Sequence, residues 1–277
     1  MITSIRTIFK SQKVIPICST ILGILFIIAI LAPWITPNDP IAVNLAYKLQ
    51  PPSWDFPLGT DHLGRCNLSR ILYGARISLG FAILIFISSL AIGLIIGTFS
   101  GYKGGWIDHI LMRFCDGVMA FPSLILVLGL VGIFGPGLSQ VILALMLVQW
   151  VYYARMFRGM VLSLKEQNFI SAAKISGSSQ WKIIKNHIIP NVLPPLVVMG
   201  TLEMGWAIMD ISAMSFLGLG VQSPTPEWGA MIHEGKSYIR TNPELMLYPG
   251  LSIMLVIVTF NLLGEALSER YGVKRRF

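Results

Sequence analysis

The chain has 277 residues, of which 54% are hydrophobic and 12% charged, with a formal net charge of +8. A water-soluble domain carries about twice that charged fraction, so the composition excludes a soluble protein; in lipid, only helices and closed barrels satisfy every backbone polar group. The basic excess reads as membrane orientation and not as nucleic-acid binding.

Apolar runs long enough to cross about 30 Å of hydrocarbon as helices fall at 14–35, 77–99, 117–134, 138–157, within a longer stretch at 188–221, and at 247–264. They predict an all-α polytopic membrane protein with about six transmembrane helices. Arg6, Lys10 and Lys13 precede the first run, but 14–35 exceeds a signal-peptide core and "LAPWITPNDP" offers no small-x-small cleavage site, so a retained helix is expected. Residues 36–70 are rich in Pro, Asp and Gly and read as an ordered cap anchored by Trp54, Phe56, Leu58 and Leu63. In the second run Gly93 and Gly97 lie four apart, a spacing that lets helix backbones approach closely. The chain then turns through "SGYKGGWID", and Arg113 and Asp116, three apart, can pair on one helix face. "GPGLSQ" is a tight turn that makes the third and fourth runs antiparallel neighbours.

Residues 155–190 form the longest polar connection, with six Lys or Arg and one Glu. "KEQNFISAAKIS" reads as a short helix stopped at Gly177, a natural residue for the left-handed position after a helix. Ser178 or Ser179 can cap a second helix, "QWKIIKNHII", which Pro190 ends or kinks. Ala172 and Ala173 keep one face of this protrusion small. It can dock in a partner's groove, or lie on the leaflet with its Lys residues and Trp181 as interfacial anchors.

The stretch 188–221 is too long for one crossing; a helix near 191–211, followed by a break and a re-entrant or interfacial piece at "SFLGLG", fits its prolines and glycines. Within it, Glu203 and Asp210 are seven apart and share a helix face. Intramembrane acids mark solute pathways by default, and Met204, Met209 and Met214 are adaptable side chains that could line one. With both termini placed inside, 15 of the 21 Lys and Arg fall on the cytoplasmic side, as the positive-inside rule requires.

There is no phosphate-binding loop, dinucleotide fingerprint, zinc-protease helix or nucleophile elbow, and the four His and three Cys are too scattered to suggest a metal site or a disulfide. No catalytic and no metal-binding residues are expected, and energy for uphill movement must come from a partner or an ion gradient. An ion-coupled secondary transporter or channel using Glu203 and Asp210 as a relay is one reading that these residues allow.

"SAAKISG" (171–177) followed by "HIIPN" (187–191) resembles the EAA loop of bacterial ABC-importer permeases. "PLGTDHLGR" (57–65), "YGARISL" (73–79), "AFPSLIL" (120–126), "YARMFRGMVLSLKE" (153–166) and "SFLGLGVQSPTPEWGAMI" (215–232) resemble, in order, the C-type subunit of the peptide and nickel permease family. The pattern departs at Ser171, where the loop's acid is expected, at Ile189, where a leucine is usual, and at Cys66, where an aspartate commonly follows the outer motif. The resemblance implies a type I ABC-importer permease architecture in the bacterial cytoplasmic membrane, with an N-terminal helix and extracytoplasmic cap at 1–76 and a core permease domain at 77–277. It implies a second permease subunit, two cytoplasmic ATPase subunits that use ATP and Mg, and an extracytoplasmic solute-binding protein, with no cofactor in this chain. Ser171, Ala172, Ala173, Gly177 and Pro190 would then shape the ATPase-coupling element, and Gly59, Asp61, Gly64 and Arg65 the outer cap. "QWVYYARM" and "EWGAMI" resemble nickel-type permeases, so nickel, cobalt or a metal chelate is the expected solute, with di- or oligopeptides as the alternative.

Overall fold

The computed structural model describes residues 2–271, with side chains from residue 13 onward. Lys274, Arg275, Arg276 and the side chains of Arg6 and Lys10 lie outside the described residues. Helix α1 (Ile2–Ile35) packs on α2 (Asn67–Lys103) and on α10 (Glu244–Tyr271), and of its described side chains, 13–35, it leaves about half, including Ile24, Ile27 and Ile30, exposed for lipid. At Gly104 and Gly105 the backbone adopts φ of 65° and 67°, a region open to glycine at little cost, and the chain reverses from α2 into α3 (Gly105–Met119).

The sequence suggests one straight span at 117–134. Instead α3 ends at Met119, and α4 (Ser123–Phe134) departs at 89° to it. Pro122 is the cause, because a residue preceding proline is driven out of the helical region, and here that residue is Phe121. At 12 residues α4 covers only about 18 Å, so the third apolar run folds as a bent pair rather than one rod. The described chain therefore has five helices long and apolar enough to span, or six spans with the bent pair counted as one.

Helix α5 (Leu138–Lys165) makes the most extensive packing in the molecule, against α2. Lipid chains are as apolar as leucine, so such a pair is held by close contact and not by the hydrophobic effect. Gly93, Gly97 and Gly101 of α2 supply it: a Cβ at Gly93 would strike the Tyr153 Cβ, and one at Gly97 would strike the Ala154 carbonyl.

After α6 (Asn168–Ile175) and the single turn α7 (Gln180–Ile183), a π turn at Ile184–Ile188 leads into α8 (Ile189–Phe216). Pro190 thus neither ends nor sharply interrupts the element. It lies directly after the π turn, whose wider coil makes room for the ring, so the helix continues past it. Helix α8 also runs five residues past the expected stop at 211. "SFLGLG" is its end and closing turn, with Gly218 at φ 81° and Leu219 N–H donating to the Met214 carbonyl. The separate short element is α9 (Trp228–Gly235), which packs on α8 and α10.

The cap is ordered, but by polar contacts more than by the aromatic anchors suggested. Trp54 is fully exposed, whereas Phe56 meets Tyr47 at a ring separation of 5.4 Å. Backbone bonds from Asn44 to Leu63, Leu49 to Asp61 and Thr60 to Gln50 hold its layers together. Gly59 and Gly64 sit flat against the Gln50 and Asn44 carbonyls, leaving no room for a side chain. Helix α2 runs uninterrupted through position 76, joining the cap to the bundle.

Candidate functional site

Among the described residues four places concentrate polar groups. The first is a cavity of about 460 Å³ between α5, α8 and the α3–α4 bend. Glu203 and Asp210 both line it, two turns apart on α8. Opposite them α5 presents Gln149 and Tyr153, one turn apart: Tyr153 Oη donates to Glu203 at 3.3 Å and Gln149 Nε2 to Asp210 at 2.8 Å. Among the described residues neither acid forms a salt bridge. Phe121, Tyr152 and Trp206 wall the cavity. Carboxylates at membrane depth without a cationic partner are costly and mark solute paths. The three methionines proposed with them do not line this cavity: Met204 and Met214 are buried in the apolar core, and Met209 is half exposed. Gln149 was the missed signal, an amide in the middle of an apolar run.

The second is the α6–α7 hairpin. Ile170, Ile183 and Ile188 are buried and root it on Tyr102, Phe157 and Val161. Gly177 adopts φ 76° after α6, and Ser178 N–H donates to the Ala173 carbonyl, closing the helix end. Of the two serines, Ser179 is the cap of α7, its Oγ accepting from Lys182 N–H at 3.4 Å. Ser171, Ala172, Gly177 and Pro190 are exposed, as are Ile175 and Trp181. The small face is narrower than the alanine pair suggests, because Ala173 turns half inward onto the hairpin's own core.

The third is a buried charge cluster at the cap. Arg65 and Arg70 are nearly inaccessible and clamp two acids. Arg65 reaches Asp61 and Glu234, each at 2.6 Å, while Arg70 lies 2.9 Å from Glu234 and 3.4 Å from Asp61. Asp61 also accepts the Leu63 and Arg65 backbone N–H groups, and Arg70 donates to the Pro40 and Pro224 carbonyls. His62 stacks on Tyr238, and burial holds its imidazole below the usual pKa against the pull of Asp61 and Glu234. Asp61, His62 and Glu234 could geometrically hold a metal ion, but a cation would have to displace two buried guanidiniums; the cluster is a lock, not a metal centre. Glu227 completes this face. Wholly buried, it accepts from Gly229 N–H, Ala230 N–H and Ser78 Oγ, capping α9 onto α2. Arg70, Glu227 and Glu234 were not singled out from the sequence, since nothing local marks partners 149 to 169 residues apart. Cys66 stands before α2 without any side-chain cap, so the departure from aspartate leaves that helix start uncapped.

Fourth, toward the hairpin, Asp116 does not pair with Arg113 in its own helix but with Arg155 of α5 at 2.6 Å. Asp108 receives two bonds from Arg158 and one from Ser100, tying α2, α3 and α5 together.

The profile described as "Binding-protein-dependent transport system inner membrane component" matches residues 93–273, and "N-terminal TM domain of oligopeptide transport permease C" matches residues 3–52. The chain is 41% identical over 249 residues to the nickel transport system permease protein NikC of Escherichia coli (strain K12), covering 90% of each. It is 39% identical to the dipeptide transport system permease protein DppC of Alkalihalophilus pseudofirmus, covering 96% of this chain and 88% of that one. With the probable D,D-dipeptide transport system permease protein DdpC of Escherichia coli (strain K12), identity is 36% over 91% and 84% of the two chains. The fold is similar to that of the MetNI methionine ABC transporter in an inward-facing form, with a TM-score of 0.56 at 20% identity, over 72% of this chain and 94% of that one. The chain belongs to the binding-protein-dependent transport system inner-membrane components, as a C-type ABC-importer permease of the peptide and nickel family.

Proposed function

We propose that this chain forms half the translocation path of an ATP-driven importer for nickel, cobalt or a metal chelate, alongside a second, unlike permease subunit. Both termini and the α6–α7 hairpin lie on the cytoplasmic side, as the distribution of basic residues favours. There the hairpin docks on one of two ATPase subunits, which hold the ATP and Mg, while the cap end receives solute from an extracytoplasmic binding protein. The observation that carries the solute reading is the cavity pair Glu203 and Asp210, two acids facing open space with neutral partners, Tyr153 and Gln149, from α5. Such a wall attracts a positively charged solute and repels an anionic one.

The test is uptake of labelled nickel, a nickel chelate and a dipeptide by proteoliposomes holding the complete assembly. Glu203→Gln with Asp210→Asn is expected to lower uptake of the preferred solute about tenfold or more, the scale of losing a charge contact in a desolvated site, while ATPase association stays unchanged. Uptake of the dipeptide alone, equally sensitive to these variants, supports the second reading, di- or oligopeptide import through the same path. That reading draws on the similarity to dipeptide permeases and on the aromatic walls of the cavity. Flux driven by an ion gradient through the chain alone, without ATP, would overturn both.

Coupling has its own expected result. Gly177 meets no atom within 4 Å where a Cβ would sit, yet its φ of 76° is strained for any β-branched residue. Gly177→Val is expected to leave membrane insertion intact and to abolish ATP-dependent uptake by reshaping the hairpin tip; full uptake would remove Gly177 from the coupling element. Ala173→Glu is a poorer probe, because Ala173 packs on the hairpin's own core.

A further inference from the structure

The cavity that holds Glu203 and Asp210 does not end at Met119. A second hollow, of about 290 Å³, is lined by His109, Met112, Arg113 and Asp116 of α3 and by Arg155 and Arg158 of α5. The same two helices wall both spaces. They meet at Arg155, whose Nη1 lies 3.9 Å from the sulfur of Met119, a residue of the first cavity. One groove between α3 and α5 thus passes from an acidic part to a basic part, in the direction of the hairpin.

Two of its three arginines hold helices together, since Arg155 pairs with Asp116 and Arg158 with Asp108. Arg113 has no such duty. It is exposed, and among the described residues it enters no hydrogen bond and no ion pair. Three arginines against two acids leave the hollow a net charge of +1, with His109 beside them. A bare cation moving from the acids toward the hairpin meets net repulsion there. A carboxylate finds an open guanidinium, whose planar fork matches its two oxygens.

The spacing suits a small molecule with both kinds of charge. Tyr153 holds Glu203, and Arg155 and Arg158 follow two and five residues later on α5, a rise of about 3 and 7.5 Å. Arg113 lies between Asp108 and Asp116 on α3, hence between the levels of Arg158 and Arg155. One or two extended amino-acid units span about 3.5 to 7 Å. Resting on the path proposed above, we propose that the basic hollow is a carboxylate-binding subsite of that path, with Arg113 as its recognising group. It takes the acid end of a solute whose cationic end, an ammonium or a chelated metal, faces Glu203. The transported species is then amino-acid-like and carries both charges, and it is not a bare metal ion.

The complete assembly with its binding protein, in proteoliposomes supplied with ATP, is offered two matched pairs of probes: alanylalanine and its C-terminal amide, and nickel chelated by 2,3-diaminopropionate or by the amide of that chelator. Each amide keeps the amines and lacks the carboxylate. The unaltered assembly is expected to take up the acid of the pair it transports at least about tenfold faster than the amide, the scale of a hydrogen bond to a charged group. Arg113→Gln is expected to shrink that ratio about tenfold, whereas Arg113→Lys, which keeps the charge, holds it within about threefold. Because Arg113 is exposed and unpaired, both variants keep their fold, which monodisperse elution checks. A ratio that Arg113→Gln leaves unchanged overturns the subsite and assigns the discrimination to the binding protein. Equal uptake of acid and amide by the unaltered assembly overturns it too, as does a preference for nickel without chelator. Absence of ATP-driven uptake of every probe would instead overturn the importer reading itself.

Discussion

Arg65→Met is expected to destabilise the protein by about 3–5 kcal/mol, the cost of removing one partner from a buried charge pair and stranding the other. Arg65 has no accessible surface, and its Nε and Nη2 each lie 2.6 Å from a carboxylate, on Asp61 and Glu234 respectively. Methionine fills most of the volume but leaves two acids facing a single guanidinium, that of Arg70. Thermal unfolding in detergent checks the size of the effect, and a midpoint within a degree of the unaltered chain would mean that the cluster is solvated. Adding Glu234→Gln to Arg65→Met is expected to recover part of the loss, because the second substitution removes one stranded charge. The cluster joins the cap to α9, so the single variant is also expected to expose the cap to protease before the helices.

Gly97→Leu is expected to cost about 3 kcal/mol or more, at the upper end of overpacking penalties, because the obstruction is backbone. The added Cβ would meet the Ala154 carbonyl and, at 2.9 Å, the Phe157 Cβ, neither of which can rotate away. Helices α2 and α5 would have to separate along their whole contact. Gly80→Leu in the same helix is the control. Nothing lies within 4 Å of its Cβ position, so it is expected to be neutral or to gain up to about 1 kcal/mol from better helix propensity. Equal stability of the two leucine variants would show that the α2–α5 contact is not close.

Pattern and spacing carried a good deal of this molecule. The apolar runs located five long helices and the bent pair; Gly93 and Gly97 pointed to a close helix contact, and Gly177 and Ser179 fall at the helix end and cap expected of them. These are local features, decided by a few consecutive residues against lipid or against their own backbone. Misjudged elements turn on a single competing local term. Phe121 and Pro122 broke a run that hydropathy alone made straight. Pro190 was accommodated because a π turn preceded it. Trp54 looked like an anchor, yet the cap is held by carbonyls and carboxylates.

Membership of the C-type permeases was legible in the ordered motifs, and so was the face shared by Glu203 and Asp210, because seven residues make two turns of any α-helix. What they face was not legible. The rotation of α8 is set by packing against α5 and α10 and not by sequence period. That packing turns Met204 and Met214 into the core while bringing Gln149 and Tyr153 to the two acids. The Arg65–Glu234 and Ser78–Glu227 contacts likewise join residues about 150 to 170 positions apart. Sequence alone thus determined what must lie in the membrane and the helix end and cap at Gly177 and Ser179, because backbone hydrogen bonding is a local demand. Only the tertiary structure decided which polar groups meet, because a charge seeks its partner through space and leaves no trace in the spacing between them.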